Sequence, residues 1–266
     1  MNENILAAIA EKTKNESGRA QEDYVRMEIA EAVAAFGTGR QNRPTFYQAL
    51  AKPGMSFICE VKKASPSKGV IAQDFPYLQI AGEYEAAGAA AISCLTEPYY
   101  FQGSDRYLKQ IASTAAIPVL KKDFTIDEYM VYQAAAAGAA AILLICAILD
   151  DAQLKSYMEL AVSLRLDVLT EAHTEEEIER AVRAGASIIG VNNRDLKTFR
   201  VDLNTSIAMR SLVPPEILFV SESGIRTAAD IEKLYANGTN AVLIGETLMR
   251  SPDKKAMLDE LRGTVR

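Results

Sequence analysis

The sequence lacks tryptophan, has a single histidine, His173, and carries only three cysteines, with no CxxC pair. Zinc and similar metals are bound mainly through histidine and cysteine, so no resident metal site is expected. Cys59, Cys94 and Cys146 lie inside apolar runs, which is typical of small core residues in a reduced, cytoplasmic protein.

Long hydrophobic runs are also missing. The longest, residues 134–149, is interrupted by Gly138 and is too short to span a bilayer, and no apolar signal segment follows the first residue. The net charge of −6 argues against nucleic acid as a partner, because binding to a phosphate backbone needs a basic surface. A small anionic substrate in a locally basic pocket remains compatible with this charge. We therefore expect a soluble protein without a membrane or nucleic-acid partner.

Four similar segments run along the chain, each with the tail of a helix, a glycine and then an apolar run. The glycines are Gly88, Gly138, Gly185 and Gly238, spaced 50, 47 and 53 residues apart. Each glycine suits the left-handed position that ends a helix. A spacing near 50 fits two strand–helix units of about 25 residues each.

The apolar runs predict eight parallel strands, because continuous hydrophobicity indicates burial on both faces. We place them at residues 57–61, 90–95, 117–121, 140–145, 166–170, 187–191, 217–221 and 240–244. Amphipathic helices are predicted between and after them, at residues 77–87, 104–115, 126–137, 150–164, 174–184, 204–212, 227–236 and 253–261.

This alternation favours an α/β fold, a closed (β/α)₈ TIM barrel, over an open doubly wound sheet. Residues 1–266 form one domain, with the barrel over residues 51–266 and a helical N-terminal extension over residues 1–50. Helices are predicted at residues 4–14 and 24–36. The extension either caps the active-site end, plugs the opposite end or contacts a second copy of the chain.

Polar residues follow six of the predicted strands, at the end of the barrel where active sites form. Glu60 and Lys62 point to the same side of the first strand by alternation. Lys121 is predicted to face the helices, which leaves Lys122 pointing inward. The other polar residues at strand ends are Glu171, Asn192, Asn193, Arg194, Asp195, Ser221, Glu222, Ser223 and Glu246.

Two kinds of chemistry follow from this rim. Gly224 and Gly245, after the seventh and eighth strands, are typical of the phosphate site of this fold. Lysines near carboxylates serve either as general acids, if their pKa falls, or as Schiff-base nucleophiles. The residues alone leave that choice open.

The single histidine is interpreted as a surface or capping residue. His173 directly precedes the predicted helix at residues 174–184. Residues 175–177, three consecutive glutamates, are interpreted as a solvated first turn favoured by the helix dipole.

Six motifs at six strand ends resemble the indole-3-glycerol-phosphate synthase family, and the resemblance covers essentially the whole chain. The motifs are residues 60–67 (EVKKASPS), 95–104 (LTEPYYFQGS), 120–124 (LKKDF), 190–196 (GVNNRDL), 220–225 (VSESGI) and 243–246 (LIGE). The resemblance implies a carboxy-lyase of tryptophan biosynthesis. It would close the ring of 1-(2-carboxyphenylamino)-1-deoxyribulose 5-phosphate with loss of carbon dioxide and water, giving indole-3-glycerol phosphate without cofactor or metal.

The resemblance also implies roles for the charged residues. Lys122 is similar to the general acid that protonates the ketone oxygen during ring closure, and Lys62 to an acid for loss of water. Glu171 is similar to the base that removes a proton to form the aromatic ring, with Glu60 as its rival. The division of labour within each pair stays open.

The resemblance assigns a further set of residues to substrate contacts. Asn192 and Ser223 resemble residues that orient hydroxyl groups. Arg194 resembles an anion contact, and Phe101 an aromatic wall for the anthranilate ring.

The remaining substrate contacts are on the phosphate side. They are Ser65, Gly224, Gly245 and Glu246. Some relatives carry serine at the last position, and a carboxylate facing phosphate would repel it. We therefore expect the backbone N–H of Glu246, and not its side chain, to face the ligand.

Two other functions keep the same fold. The first is a sugar-phosphate isomerase or Schiff-base lyase, which would change the chemistry at the lysines. The second is a non-catalytic barrel that binds a phosphorylated ligand or a protein. The chain is expected to be a monomer or a weak homo-oligomer.

Overall fold

The computed structural model describes residues 11, 43–195, 198–263 and 265. The strands are β1 (Ser56–Val61), β2 (Ala64–Ser65), β3 (Gly69–Val70), β4 (Ala91–Leu95), β5 (Val119–Lys122), β6 (Ala141–Ile145), β7 (Asp167–Ala172), β8 (Ile188–Asn192), β9 (Leu218–Glu222) and β10 (Ala241–Ile244). The helices are α1 (Phe46–Leu50), α2 (Tyr77–Ala86), α3 (Asp105–Thr114), α4 (Glu128–Ala136), α5 (Asp151–Ser163), α6 (Glu175–Ala184), α7 (Asn204–Met209), α8 (Ala228–Ala236), α9 (Glu246–Arg250) and α10 (Lys254–Arg262). Short 3₁₀ turns occupy Cys146–Ile148 and Arg210–Leu212.

Eight parallel strands close into a barrel, in the order β1-β10-β9-β8-β7-β6-β5-β4. The ring closes where β1 pairs with β4, with Ile58 opposite Ala91 and Val61 opposite Cys94. This closure confirms the TIM barrel and rules out the open sheet. The short strands β2 and β3 form a separate antiparallel hairpin in the loop after β1, which the sequence did not predict.

The helix ends follow the predicted signals. Gly88, Gly138, Gly185 and Gly238 all have positive φ, between 82° and 92°. At the start of α6 the Thr174 side chain accepts a hydrogen bond from the Glu177 N–H. No helix among the described residues is long and apolar enough to cross a membrane.

Side-chain alternation turns the inside of the barrel from apolar to charged along each strand. Ile58 and Leu120 belong to the buried cluster inside the barrel. The next inward positions on the same strands are Glu60 and Lys122. The other apolar residues of the inner cluster, from the remaining strands, are Ala91, Ala141, Leu143, Ile145, Leu169, Ile188, Leu218, Val220, Ala241 and Leu243. The barrel is therefore a packed apolar core with a charged layer at one end.

Helix α1 lies at the opposite end of the barrel from this charged layer. Phe46 and Leu50 are fully buried in the inner apolar cluster. The Tyr47 N–H donates to Asp167 Oδ2 (2.8 Å), at the start of β7. Of the predicted extension, this segment plugs the barrel bottom and does not cover the site. The helices predicted at residues 4–14 and 24–36 lie outside the described residues, apart from the helical Glu11.

Candidate active site

A cavity of about 390 Å³ opens at the C-terminal ends of the strands. All twelve residues singled out from the sequence line it, whatever their roles. They are Glu60, Lys62, Ser65, Phe101, Lys122, Glu171, Asn192, Arg194, Ser223, Gly224, Gly245 and Glu246.

Lys122 lies at the base of the cavity between two carboxylates from different strands. Its Nζ is 3.3 Å from Glu171 Oε2 and 3.4 Å from Glu222 Oε2. Both glutamates are almost wholly buried. Such a cluster of buried ionisable groups in a cleft is typical of a catalytic site, since charges are costly to bury without a use or a partner.

The two carboxylates differ in their pKa. Burial works to raise the pKa of Glu171, but the charges of Lys122 and His173 outweigh it and the pKa lies below its ordinary value. Burial raises the pKa of Glu222 to about 7, and the negative charge of Glu171 adds to this effect. Glu171 is therefore ionised at neutral pH, while Glu222 is poised to hold or release a proton.

The charge state of Lys122 differs from one condition set by the sequence reasoning, which required a lowered pKa for a general acid. Burial works to lower the pKa of Lys122, but Glu222, Glu171 and Glu60 more than offset it and raise the pKa above its ordinary value. The neighbours that decide the shift are carboxylates and not cations. Lys122 is therefore held firmly as an ammonium group.

Lys121, the neighbour of Lys122 in the chain, points the other way, as alternation predicted. Its side chain is only 1% exposed, and its Nζ lies 2.7 Å from Asp105 Oδ1 on α3. It joins the strand to the surrounding helices and stays outside the cavity.

Glu60 and Lys62 form a second ion pair, as their shared side of β1 predicted. Lys62 Nζ lies 2.5 Å from Glu60 Oε1. A Cβ added at Gly245 would come within 2.4 Å of that oxygen and 2.8 Å of Lys62 Nζ. Glycine at this position therefore leaves the space that the pair occupies.

Glu222 is the main functional candidate that the sequence reasoning left out of the site. It was noted at the end of its strand but given no role. Alternation places it inward, two residues after the inner-cluster residue Val220, and this signal was available. Arg226, Arg250 and Phe124 also line the cavity and were not predicted.

A buried carboxylate shapes the loop that carries Phe101. Glu97 accepts hydrogen bonds from the Tyr99 N–H (2.9 Å), the Tyr100 N–H (2.7 Å) and the Phe101 N–H (2.9 Å). The Phe101 ring lies 6.1 Å from that of Phe124, centroid to centroid, in a tilted arrangement. Together the two rings form an apolar wall of the cavity.

The end of β8 positions an amide and a guanidinium group at the cavity. Asn192 Oδ1 accepts a hydrogen bond from the Arg194 N–H (3.0 Å), and the Arg194 side chain donates to the Phe199 carbonyl (3.3 Å). Burial lowers the pKa of Arg194 from its ordinary value. A partly desolvated guanidinium group is well suited to bind an anionic ligand.

The mouth of the cavity near β9 and β10 combines irregular backbone with basic side chains. Ser223 and Gly224 have φ of 68° and 84°, so successive backbone groups turn toward the cavity side. The Glu246 side chain pairs with Arg250 Nε (3.1 Å) and lies 3.9 Å from Lys68 Nζ. This carboxylate is thus engaged by two cations, as we would expect if only its backbone faced an anionic ligand.

The sequence interpretation of His173 as a surface or capping residue is wrong for its ring. The His173 N–H does join the start of α6, donating to Glu177 Oε2 (2.6 Å). The imidazole, however, is largely buried, with Nε2 3.3 Å from Glu171 Oε1. Glu177 is likewise half-buried beside this ring, although Glu175 and Glu176 are exposed as predicted.

Comparison with known proteins agrees with the site. The family model described as indole-3-glycerol phosphate synthase matches residues 6–261. Indole-3-glycerol phosphate synthase of Ruminiclostridium cellulolyticum is 53% identical over 98% of this chain and 100% of its own length. The enzyme of the same name from Lacticaseibacillus paracasei is 51% identical over 96% of this chain and 97% of its own.

Solved structures of more distant proteins share the fold. A 3-hexulose-6-phosphate synthase structure has a TM-score of 0.64 at 17% identity, covering 78% of this chain and 98% of its own. A tryptophan synthase α-subunit variant from Pyrococcus furiosus has a TM-score of 0.60 at 14% identity, covering 77% of this chain and 97% of its own. At these identities the likeness extends to the barrel alone.

Proposed function

Since the chain belongs to the indole-3-glycerol phosphate synthase family, we propose that the two ion-pair clusters at its rim divide the acid and base steps of that reaction. The enzyme is a decarboxylating lyase of tryptophan biosynthesis that forms indole-3-glycerol phosphate. The observation that carries the assignment is the position of Lys122, a single buried ammonium group held between two buried carboxylates.

Lys122 acts first, as the general acid of ring closure. The carbon of the anthranilate ring attacks the substrate ketone, and negative charge develops on the ketone oxygen. An alkoxide is a much stronger base than a lysine amine, so even a lysine with a raised pKa can give up its proton to it. Glu222, with a pKa near 7 and its Oε2 3.4 Å from Lys122 Nζ, is placed to return that proton.

Lys62 acts later, after carbon dioxide has left, as the acid that protonates the departing hydroxyl group. Its Nζ lies beside Gly245 at the end of β10, on the side of the cavity that we assign to the phosphate and sugar hydroxyls. Glu60, 2.5 Å away, holds it in its charged form.

Glu171 is the base that removes the last proton to complete the aromatic ring. Its lowered pKa supports this role over Glu60, because Glu171 remains ionised at neutral pH although it is fully buried. Glu60 is committed to Lys62 by the short contact between them.

The substrate's two ends fit the two ends of the cavity. We assign the anthranilate ring to the wall of Phe101 and Phe124, and the phosphate to Ser65 and the backbone at Gly224 and Gly245. Asn192 and Ser223 would then orient the sugar hydroxyls. Arg194 would bind the anthranilate carboxylate through its guanidinium group.

We further propose that the protein works in the cytoplasm as a monomer or a weak homo-oligomer and does not bind nucleic acid. The three cysteines are free and buried, which fits a reducing compartment. The net charge of −6 fits a partner that is a small molecule and not a nucleic acid. Sedimentation velocity over a range of concentrations tests the oligomeric state.

Borohydride trapping in the presence of the substrate separates this mechanism from a Schiff-base lyase. Acid catalysis leaves the lysines unmodified, whereas a Schiff base would be reduced to a stable adduct. Mass spectrometry of Lys62 and Lys122 peptides should therefore show no mass increase. A substrate-dependent adduct on either lysine would contradict the proposal.

A further inference from the structure

The imidazole of His173, just after β7, lies between two carboxylates. Its Nε2 is 3.3 Å from Glu171 Oε1, and its Nδ1 is 3.5 Å from Glu177 Oε2. Both ring nitrogens are closed off from solvent. Burial works to lower the pKa of His173, but the contact with Glu177 and the charge of Glu171 raise it above the ordinary value. A protonated ring satisfies both carboxylates at once, which a neutral ring cannot do.

The first turn of α6 holds this ring in place. Glu177 Oε2 accepts a hydrogen bond from the His173 N–H (2.6 Å) and also faces the ring of the same residue. The Thr174 side chain caps the helix by accepting from the Glu177 N–H (3.2 Å). Glu177 is therefore fixed by the helix start, and it fixes His173 from the side opposite Glu171.

This contact makes the two carboxylates beside Lys122 unequal. Glu171 and Glu222 lie at nearly the same distance from Lys122 Nζ, 3.3 and 3.4 Å, and both are buried. Glu171 has a second cation, His173, at its other oxygen. Glu222 Oε1 has no hydrogen-bond partner among the described residues. The histidine is thus the charged group that separates two otherwise similar carboxylates.

We propose that His173 is a positioning residue which, as an imidazolium, keeps Glu171 ionised and oriented as the base of the reaction. The proton shared by the carboxylate pair then resides on Glu222, next to Lys122. The charged groups that face the ring are Glu171 from β7, Glu177 from α6 and, farther away, Glu222 from β9. The inference rests on the proposed role of Glu171 as base.

The chain allows a direct test, because His173 is its only histidine. Prepared without a histidine tag, the protein gives one imidazole signal in a ¹³C–¹H NMR titration. We expect this signal to titrate above pH 6.5, the ordinary value for histidine. Both Glu171→Gln and Glu177→Gln should move the midpoint down. A wild-type midpoint at or below 6.5, or one that Glu171→Gln leaves unchanged, would overturn the inference.

The pH dependence of turnover separates positioning from simple space filling. In His173→Gln, burial and the charge of Glu222 act on Glu171 without the imidazolium, so the pKa of Glu171 rises. We expect kcat to fall about tenfold at pH 6 and less than about twofold at pH 8.5, because a shift of one unit changes the ionised fraction up to tenfold. An equal loss at every pH would mean that the ring only fills space.

Two further variants guard against other readings. If His173→Gln fails to fold, Glu177→Gln serves instead, since it keeps the ring and removes only the outer carboxylate; the same loss at low pH is then expected. If Glu171→Gln turns over at the wild-type rate, Glu171 is not the base. That outcome defeats the proposed function and this inference with it, whereas an unchanged titration midpoint defeats the inference alone.

Discussion

The backbone of Gly190 on β8 leaves the space in which the carboxylate of Glu222 sits. A Cβ added at residue 190 would come within 2.3 Å of Glu222 Oε1 and 3.1 Å of the Leu169 side chain. Glu222 reaches Lys122 only because this inward position on the neighbouring strand is a glycine.

Gly190→Ala should therefore push the Glu222 carboxylate away from Lys122. We expect kcat to fall at least about tenfold while far-UV circular dichroism stays that of the barrel, since removal of one positioned acid or base costs at least that much. Gly82→Ala is the matched control, because a Cβ there meets nothing within 4 Å on the exposed side of α2. Equal activity of the two variants would show that the position of Glu222 is unimportant.

Substitution of the two rival bases decides between them. Glu171→Gln should lower kcat by at least about a hundredfold, the usual scale for loss of a general base. Glu60→Gln should have a smaller effect, since it loosens Lys62 without removing the base. Steady-state rates of the two variants at pH 7.5 test this, and a greater loss in Glu60→Gln would transfer the role to Glu60.

Glu222 should also leave a mark on stability. Because its pKa is raised from 4.5 to about 7 in the folded protein, the folded state binds a proton that the unfolded state has released between these values. This contribution to stability is present below pH 4.5 and is lost as the pH rises to 7, by up to about 3 kcal/mol. Urea unfolding of wild type and Glu222→Gln at pH 5 and pH 8 measures it. The loss between the two pH values should be smaller in the variant, and parallel behaviour would contradict the raised pKa.

The loop at Phe101 depends on the Glu97 carboxylate, which binds three backbone N–H groups. In Glu97→Gln the amide NH₂ replaces an accepting oxygen, so at least one N–H loses its partner at a cost of about 1–3 kcal/mol. We expect KM to rise about tenfold with a smaller change in kcat, because the ring wall is displaced and the acid–base groups are not. Glu85→Gln is the control, since Glu85 accepts from Ala116 N–H away from the cavity. A change in kcat alone would contradict a role limited to the ring wall.

The barrel and much of its site could be predicted because both follow from local patterns. Alternation of side chains separates Lys122 from Lys121, and the same rule joins Glu60 to Lys62. Glycine at the helix ends marks the repeat. These features depend only on neighbours in the chain.

The unpredicted features depend on distances across the barrel or on very short elements. The pairing of Glu222 with Lys122 joins β9 to β5, and no spacing in the sequence encodes that approach. The ring of His173 faces inward because the first turn of α6 holds it there, against the expectation for a polar residue before a helix. The β2–β3 hairpin has only two residues per strand, which is too short for a periodic signal.

The two lysines act at different steps in this mechanism, so one turnover can separate them. Carbon dioxide release reports ring closure and decarboxylation, and indole fluorescence reports loss of water. The chain has no tryptophan, which keeps the background emission low. Lys63→Ala is the control, because Lys63 is next to Lys62 in the chain but does not line the cavity.

The measurement that tests the central claim most directly is single-turnover release of carbon dioxide alongside indole emission in Lys122→Ala and Lys62→Ala. Lys122→Ala should slow both signals together by at least about a hundredfold, because the ring never closes. Lys62→Ala should release carbon dioxide well before indole emission appears. Rapid carbon dioxide release by Lys122→Ala, with only the indole signal delayed, would show that Lys122 is not the acid of ring closure.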